Sequence, residues 1–511
     1  MFVVLADARE WLGRASASPA GPVESSTSPL DVGVKAVLLA ALPGIDPLRA
    51  SGWLALGLTV ALGLLVAALA SARGRDRGDR AAVAWVALVA TGAVLAPGVA
   101  ESAAYRMEGP LLALAWTAAA WAAATRRRRA LVPCLVLLAI TRPEGLLLAP
   151  VLGWIGGGVD RRLAVRGAAV GAALAAGVTG VRFALYGALV PNTYHAKTSD
   201  SRWNEVADGA AYLANVAATW SGAGVVLLAL AVGLAVRARP RGAGSPDGRD
   251  GGEDASAAAR RLLVLAALYG AVVVVSGGDG YRGARLAMPV GLTVWLAAAA
   301  AGSLPSVSGR RLVAFALVLQ AIGAAPRPWP GTAAALEAVG IGLRSGPTGL
   351  EAFDGDARAF AAVREALGAE VFAHRHAQRF RWFEPEATIL DLTGLTDAEV
   401  ARRPAPGRVR FGRDAVDLAL ERRVGALHLD PLRARPAALA AADPLRALSD
   451  PAVAPSFGGP PYLEPELARR VAADYRGASF ALPEAGGFFN LFVRADLAER
   501  FRSAGFSVGG G

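Results

Sequence analysis

The sequence predicts a mainly α-helical integral membrane protein: a polytopic transmembrane helical bundle with a C-terminal α/β domain outside the membrane. Three observations support this fold class. Of the 511 residues, 54% are hydrophobic and the mean hydropathy is +0.40, which is too apolar for a soluble protein of this size. Long apolar runs recur through the first two thirds of the chain, and short arginine clusters separate them. Such clusters are typical of loops on the cytoplasmic side of a membrane.

Ten apolar stretches are candidate membrane spans, and they lie at about 52–72, 81–97, 110–125, 130–141, 146–158, 167–189, 216–236, 262–276, 286–302 and 312–326. Several are shorter than the roughly 20 residues of a straight crossing. If every arginine-rich loop is cytoplasmic, one alternation of spans satisfies all of them. We therefore assign residues 1–326 to a multi-pass domain in the plasma membrane.

The stretch 130–158 has arginines on both flanks and the sequence TRPEG (141–145) at its centre. It should enter the membrane and return as two half-length helices. Pro143 cannot continue the first helix and suits the opening turn of the second. Arg142 and Glu144 are thereby predicted at the outer membrane surface, where charge needs water or a partner.

Outside the spans, the segment 237–261 is rich in Gly and charge, which predicts a flexible cytoplasmic loop. Residues 327–511 mix an amphipathic helical pattern at 357–367 with strand-like runs at 387–392 and 489–494. This region is predicted to be an extracytoplasmic α/β domain. The net charge of +11 is explained by the arginine clusters, so we predict no nucleic-acid partner.

With this threading, five polar clusters lie on the outer side: VESSTSPLD (23–31), ESAAYRMEG (101–109), TRPEG (141–145), VPNTYHAKTSD (190–200) and GGDGYRGAR (277–285). They combine cations that can grip a phosphate with carboxylates that can deprotonate a hydroxyl. The cations are Arg142, Lys197, Arg282 and Arg285, and the carboxylates are Glu24, Glu108, Glu144 and Asp279. Transfer of a group from a lipid phosphate needs both types.

Structural explanations remain open for each cluster. Arg142 and Glu144 can simply pair with each other, and Asp279 can cap a turn at 277–278. His195 suits an interfacial role, and His374 and His376 lack an obvious third ligand. We therefore predict no metal site and no cofactor, and leave a divalent cation open.

The five clusters occur together in an order that resembles bacterial GT-C membrane glycosyltransferases, and the chain is similar to their terminal arabinofuranosyltransferase branch. The matching segments are VESSTSPL, YRMEGPL, TRPEGLLL, LVPNTYHAK and GGDGYRGARLAMP, followed by 389–403 and 488–494. The resemblance implies transfer of a sugar from a polyprenyl-phosphate donor to a glycan, lipid or protein acceptor on the extracytoplasmic side, in the cell envelope. The partners would thus be this donor, an acceptor and the lipid bilayer.

The predicted site follows from these matches. Glu108, Asp279 and Asp7 are the candidate catalytic residues. The candidate substrate-binding residues are Glu24, Arg142, Glu144, Asn192, Lys197, Arg282 and Arg285. One departure concerns the family's acidic pair, which we expect just upstream of Met1, because 2–14 resembles the helix that follows it. Asp7 is the nearest carboxylate, although its position does not match the family's acid.

Two other functions fit parts of the sequence. A transporter or flippase of lipid-linked substrate would use the broken helix at 141–145 to line a midplane site. A non-catalytic homologue would bind the donor without transferring its sugar.

Overall fold

The computed structural model describes two compact units. The first contains residues 26–190 and 198–326, and the second contains residues 191–197 and 327–511. The residues described are 28–42, 44–45, 47–71, 80–104, 108–157, 160–197, 201–238, 251–278, 284–301, 307–324, 351–374, 377–384, 386–394, 396–403, 415–429, 465–482 and 487–509. The chain is mostly helical, as its composition predicts.

The described part of the first unit consists of helices and their connections. In chain order the helices up to residue 324 are α1 (Pro29–Ala41), α2 (Pro47–Ser71), α3 (Arg80–Val94), α4 (Val99–Ala104), α5 (Gly109–Ala124), α6 (Arg128–Thr141), α7 (Pro143–Gly157), α8 (Arg161–Tyr186), α9 (Asn192–Lys197), α10 (Arg202–Ala218), α11 (Trp220–Ala238), α12 (Gly251–Val275), α13 (Met288–Ala301) and α14 (Val307–Ala324). Helix α9 belongs to the second unit.

Three helical stretches in the described residues are long and apolar enough to cross a membrane: Arg49–Ser71, Arg161–Tyr186 and Ser256–Val275. The stretches Arg202–Ala218 and Ser221–Leu234 qualify together, with a bend of 87° between them. Shorter apolar helices are Ala82–Val94, Gly109–Ala124, Met288–Ala301 and Arg311–Ala321. These lengths are compatible with a membrane protein.

The predicted helix break at TRPEG is confirmed. Helix α6 ends at Thr141, Arg142 is extended (φ −154°, ψ 151°), and α7 begins at Pro143, because a residue before proline avoids helical backbone. The two helices form an antiparallel hairpin. A Cβ at Gly145 would lie 2.3 Å from the Leu138 carbonyl oxygen, and one at Gly156 would lie 2.3 Å from Leu131 Cδ2.

Helices α7 and α8 approach each other closely along a row of small residues. A Cβ at Gly153 would lie 2.1 Å from the carbonyl oxygen of Gly167, and one at Gly171 would lie 2.4 Å from that of Ala149. At the far end, a Cβ at Gly157 would lie 2.2 Å from the Ala164 Cα. Small residues let helix backbones meet in this way, which is the usual packing of helices in lipid.

The core of the first unit is organised around two tryptophans. The Trp116 indole donates to the Thr293 hydroxyl at 2.7 Å, and the Trp295 indole donates to Gln320 Oε1 at 3.0 Å. These bonds join α5 to α13 and α13 to α14, and they satisfy indole N–H groups that burial would otherwise leave unpaired. Gly92 gives the Trp295 ring its space, since a Cβ there would lie 2.1 Å from it.

The predicted loop 237–261 is shorter than expected. Helix α11 continues to Ala238, and α12 already begins at Gly251. The residues between these two helices, 239–250, lie outside the described part of the chain. The alanines at 255 and 257–259 favour helix within the stretch predicted as loop, because alanine has the highest helix propensity.

The second unit contains a small mixed sheet. Its strands are β1 (Phe372–His374), β2 (Ile389–Asp391), β3 (Ala426–His428), β4 (Tyr475–Leu482), β5 (Gly487–Arg494) and β6 (Ser507–Val508), in the order β2-β1-β3-β5-β4-β6. Strand β1 is parallel to β2 and β3, and the remaining neighbours are antiparallel. The strand predictions at 387–392 and 489–494 are confirmed.

Helices accompany this sheet. After α9 they are α15 (Glu351–Leu367), α16 (Ala377–Phe383), α17 (Ala398–Ala401), α18 (Val416–Glu421), α19 (Pro465–Asp474) and α20 (Ala498–Ser503). Successive strand residues join different core clusters: Leu491 and Val493 pack in one, and Phe492 packs in the other. Since neighbouring side chains in a strand point to opposite faces, the sheet is covered on both sides. The helix predicted at 357–367 is confirmed as part of α15.

The contact between α7 and α8 can be tested with two glycines of α8. We expect Gly167→Ala to lower the free energy of unfolding by about 1–3 kcal/mol, because the new Cβ would meet backbone and force the helices apart. Gly177 has no atom within 4 Å of its Cβ position, so that Gly177→Ala should be neutral or stabilise by up to about 1 kcal/mol. Thermal unfolding in detergent compares the two. Equal effects would contradict the close contact.

Candidate functional site

Four predicted site residues come together in the first unit: Glu108, Arg142, Glu144 and Arg285. Arg142 Nη1 donates to Glu108 Oε1 at 2.6 Å. Its Nε and Nη2 donate to the two oxygens of Glu144, at 3.0 and 2.9 Å. Arg285 Nη1 lies 3.5 Å from Glu108 Oε1. We call these four residues the charge cluster.

The four residues of the charge cluster lie at or next to the ends of helices. Glu108 directly precedes α5, Arg142 lies between α6 and α7, and Glu144 lies in the first turn of α7. Arg285 lies in the turn before α13. Gly98 has a φ of +85°, and a Cβ there would lie 2.8 Å from the Arg285 Cα. A side chain at position 98 would therefore push Arg285 away from Glu108.

Burial makes this arrangement electrostatically demanding. The side chains of Arg142 and Glu108 are each only 7% exposed. A buried charge is tolerated when partners and hydrogen bonds replace water. The planar fork of Arg142 matches the Glu144 carboxylate with two parallel bonds, a geometry that lysine cannot reproduce. The structural pairing of Arg142 with Glu144 is therefore present in this structure, and a phosphate would have to compete with carboxylates for the guanidinium.

A second buried ion pair was missed by the sequence analysis. Lys35 Nζ donates to Asp31 Oδ2 at 2.8 Å, and both side chains are almost fully buried in α1. Asp31 also interacts electrostatically with Glu108, a member of the charge cluster. The signal was the i,i+4 spacing of opposite charges in an apolar helix, together with lysine being present at only two positions, Lys35 and Lys197.

Asn192 lies in the second unit. Its amide Nδ2 donates to the carbonyl oxygen of Gly394, in the loop after β2. That loop is organised by Asp391, whose two carboxylate oxygens accept from the backbone N–H and hydroxyl groups of Thr393 and Thr396. Asn192 therefore has a structural partner in this unit, which the sequence did not predict.

Several predicted site residues lie outside the described residues. They are Asp7, Glu24, Asp279, Arg282 and, for its side chain, Lys197. Their location on the same outer side as the charge cluster stays a prediction. The catalytic carboxylates Asp7 and Asp279 belong to this group.

Two histidines of the second unit stack on each other. His374 ends β1 and His428 ends β3, and their rings lie 4.2 Å apart and nearly parallel. His376 lies outside the described part of the chain. Among the residues that the structure describes, no group of three or more His, Cys, Asp or Glu side chains could hold a metal ion.

Comparison with known proteins gives no relative: no protein-family model, no curated protein and no solved structure matches the chain.

Removal of the central carboxylate tests the charge cluster. We expect Glu108→Gln to lower the free energy of unfolding by about 3 kcal/mol, because Arg142 and Arg285 then lose a buried counter-ion. The control is Glu499→Gln, which removes a carboxylate 83% exposed beside Arg502. Such surface pairs contribute about 0.5 kcal/mol or less. Chemical denaturation measures both variants, and a Glu108→Gln protein as stable as wild type would contradict the role of Glu108 as an anchor for two arginines.

Proposed function

We propose that the chain is a multi-pass membrane glycosyltransferase that moves a sugar from a polyprenyl-phosphate donor to an extracytoplasmic acceptor in the cell envelope. The charge cluster is the main support for this proposal. Charged side chains between apolar, membrane-type helices are costly and mark functional sites more often than structural ones. The cluster also combines the two residue types, arginine and carboxylate, that transfer from a lipid phosphate requires.

The proposed reaction is a nucleophilic substitution at the anomeric carbon. An acceptor hydroxyl forms the new C–O bond, and the bond between the anomeric carbon and the phosphate oxygen breaks. The phosphate leaves with the bonding electron pair, and a carboxylate takes the hydroxyl proton. Arg285 and Arg142 would stabilise the charge that develops on the leaving phosphate. Glu108, Asp279 and Asp7 are the proposed carboxylates, and no cofactor is required, although a divalent cation can assist.

The extracytoplasmic position of the site and of the C-terminal domain is part of this proposal. It rests on the arginine-rich loops, which place the opposite helix ends on the cytoplasmic side. Helix α6 begins at Arg128 within such a loop and ends beside Arg142. By this rule the α6–α7 hairpin carries the charge cluster at its outer end.

A transfer assay with a donor that is radiolabelled in its sugar distinguishes the proposed glycosyltransferase from a non-catalytic homologue and from a flippase. The purified protein in vesicles is supplied with radiolabelled polyprenyl-phosphate sugar and an envelope acceptor. We expect binding of the donor and transfer of label to the acceptor. Binding without transfer would identify a non-catalytic homologue, and movement of intact donor across the bilayer would identify a flippase. Absence of binding would refute all three.

Replacement of Arg285 and of Arg142 by lysine distinguishes an arginine that binds phosphate from one with a structural role. Arg285 Nη1 lies 3.5 Å from Glu108 Oε1, and a lysine ammonium can make a charge contact of this kind as well. We therefore expect Arg285→Lys to preserve stability and to weaken donor binding about tenfold, because the planar fork is lost. Arg142→Lys should lower stability by about 1–3 kcal/mol, because it loses paired bonds to Glu144.

Donor affinity and the unfolding temperature are measured on both variants, with Lys197→Ala as a third cation change. Wild-type affinity in Arg285→Lys would remove Arg285 from the phosphate site. Wild-type stability in Arg142→Lys would contradict the structural weight of the Arg142–Glu144 pair.

A further inference from the structure

Tyr269 has a buried hydroxyl and is not a member of the charge cluster. It lies on α12, it is 1% exposed, and it is one of the largest fully buried side chains of the described residues. Its phenol lies within electrostatic range of both Arg142 and Glu144. The hydroxyl has no hydrogen-bond partner within the described structure.

The ring of Tyr269 is held in a fixed position. It packs edge-to-face against Trp116, with ring centroids 4.8 Å apart and planes at 72°. Trp116 is itself fixed by its hydrogen bond to Thr293. Because two neighbouring helices define the ring position, the phenol is held within electrostatic range of Arg142 and Glu144.

Stability does not explain a tyrosine here. A buried hydroxyl without a partner costs about 1–3 kcal/mol relative to the paired group. Phenylalanine would keep the aromatic contact with Trp116 and avoid this cost. The natural partner of the hydroxyl is therefore a group that the described residues of the chain do not supply.

Ser102 gives a second, independent observation. Its side chain packs on Gly109, next to Glu108, where a Cβ would lie 2.4 Å from the serine Oγ. Ser102 is buried, and in the part of the chain described its hydroxyl also has no hydrogen-bond partner. Two buried hydroxyls without a partner in the described residues are thus associated with the charge cluster: Ser102 packs on Gly109, and Tyr269 interacts electrostatically with Arg142.

We propose that Tyr269 is a donor-binding residue whose hydroxyl hydrogen-bonds an oxygen of the polyprenyl-phosphate headgroup, with the Ser102 hydroxyl as a second donor. This inference rests on the proposed function and deepens it. A phosphate brings acceptor oxygens into the cluster, and a hydroxyl can donate to them, while Glu108 and Glu144 can only accept. The two hydroxyls supply uncharged donors, so that they bind the headgroup without adding charge to the buried site.

The test compares two tyrosines with opposite hydrogen-bond status. The Tyr475 hydroxyl donates to the carbonyl oxygen of Val424 at 2.8 Å. Burial raises the pKa of Tyr475 to about 12, so that it remains a donor throughout the usual pH range. Tyr475→Phe should therefore lower the unfolding temperature and leave donor binding unchanged, whereas Tyr269→Phe should show the reverse.

The experiment measures binding of undecaprenyl phosphate to the full chain in nanodiscs, together with thermal unfolding. We expect Tyr269→Phe to bind the probe about tenfold more weakly, the usual effect of losing a hydrogen bond to a charged group, at an unfolding temperature no lower than wild type. Ser102→Ala should behave in the same way.

Three results would overturn the inference. Wild-type affinity in Tyr269→Phe would show that the hydroxyl does not contact the headgroup. A lower unfolding temperature for Tyr269→Phe, as for Tyr475→Phe, would show that the hydroxyl has a partner within the protein. If the wild-type chain does not bind undecaprenyl phosphate, the proposed function fails as well, which distinguishes this outcome from the other two.

Discussion

The guanidinium of Arg142 must be neutralised where it lies, and the structure around it follows from that requirement. The anions come from the start of α5 and the first turn of α7, and Arg142 itself lies where α6 ends. One buried ion-pair network therefore fixes three helix ends at one point. Arg285 joins the same network through Glu108, and Gly98 permits the backbone approach that brings it there. Loss of one carboxylate would leave a buried cation without compensation, which costs far more than a surface charge.

Around this point the helices are held by packing and by a few buried polar bonds. Lipid tails are as apolar as leucine, so that helices in a membrane gain little from hydrophobic burial against one another. Two other interactions hold these helices together. They are the close packing at the glycines between α7 and α8 and the indole hydrogen bonds of Trp116 and Trp295. The same tryptophan that joins α5 to α13 also holds the Tyr269 ring in place. Packing and site geometry thus depend on the same side chains.

Local features of the sequence predicted local features of the fold. The break at Arg142 follows from one proline, and the strands at 389–391 and 487–494 follow from short apolar runs. Pairings between distant residues could not be predicted in this way. Glu108 and Arg142 are 34 residues apart, and Asn192 and Gly394 are 202 apart. No periodic pattern encodes such a contact. The Asp31–Lys35 pair was readable from its i,i+4 spacing, although residues 29–41 were not among the ten predicted spans.

The bond from Asn192 to Gly394 has a consequence for the order in which the protein is made. Helix α9 is synthesised between α8 and α10, yet it packs with α17 in the second unit. During translation α9 must wait for the β2 strand and its loop before it finds its partner. A fragment that begins after residue 326 would lack this helix and expose the Gly394 carbonyl oxygen. The second unit is therefore completed by a segment that left the ribosome long before the rest of it.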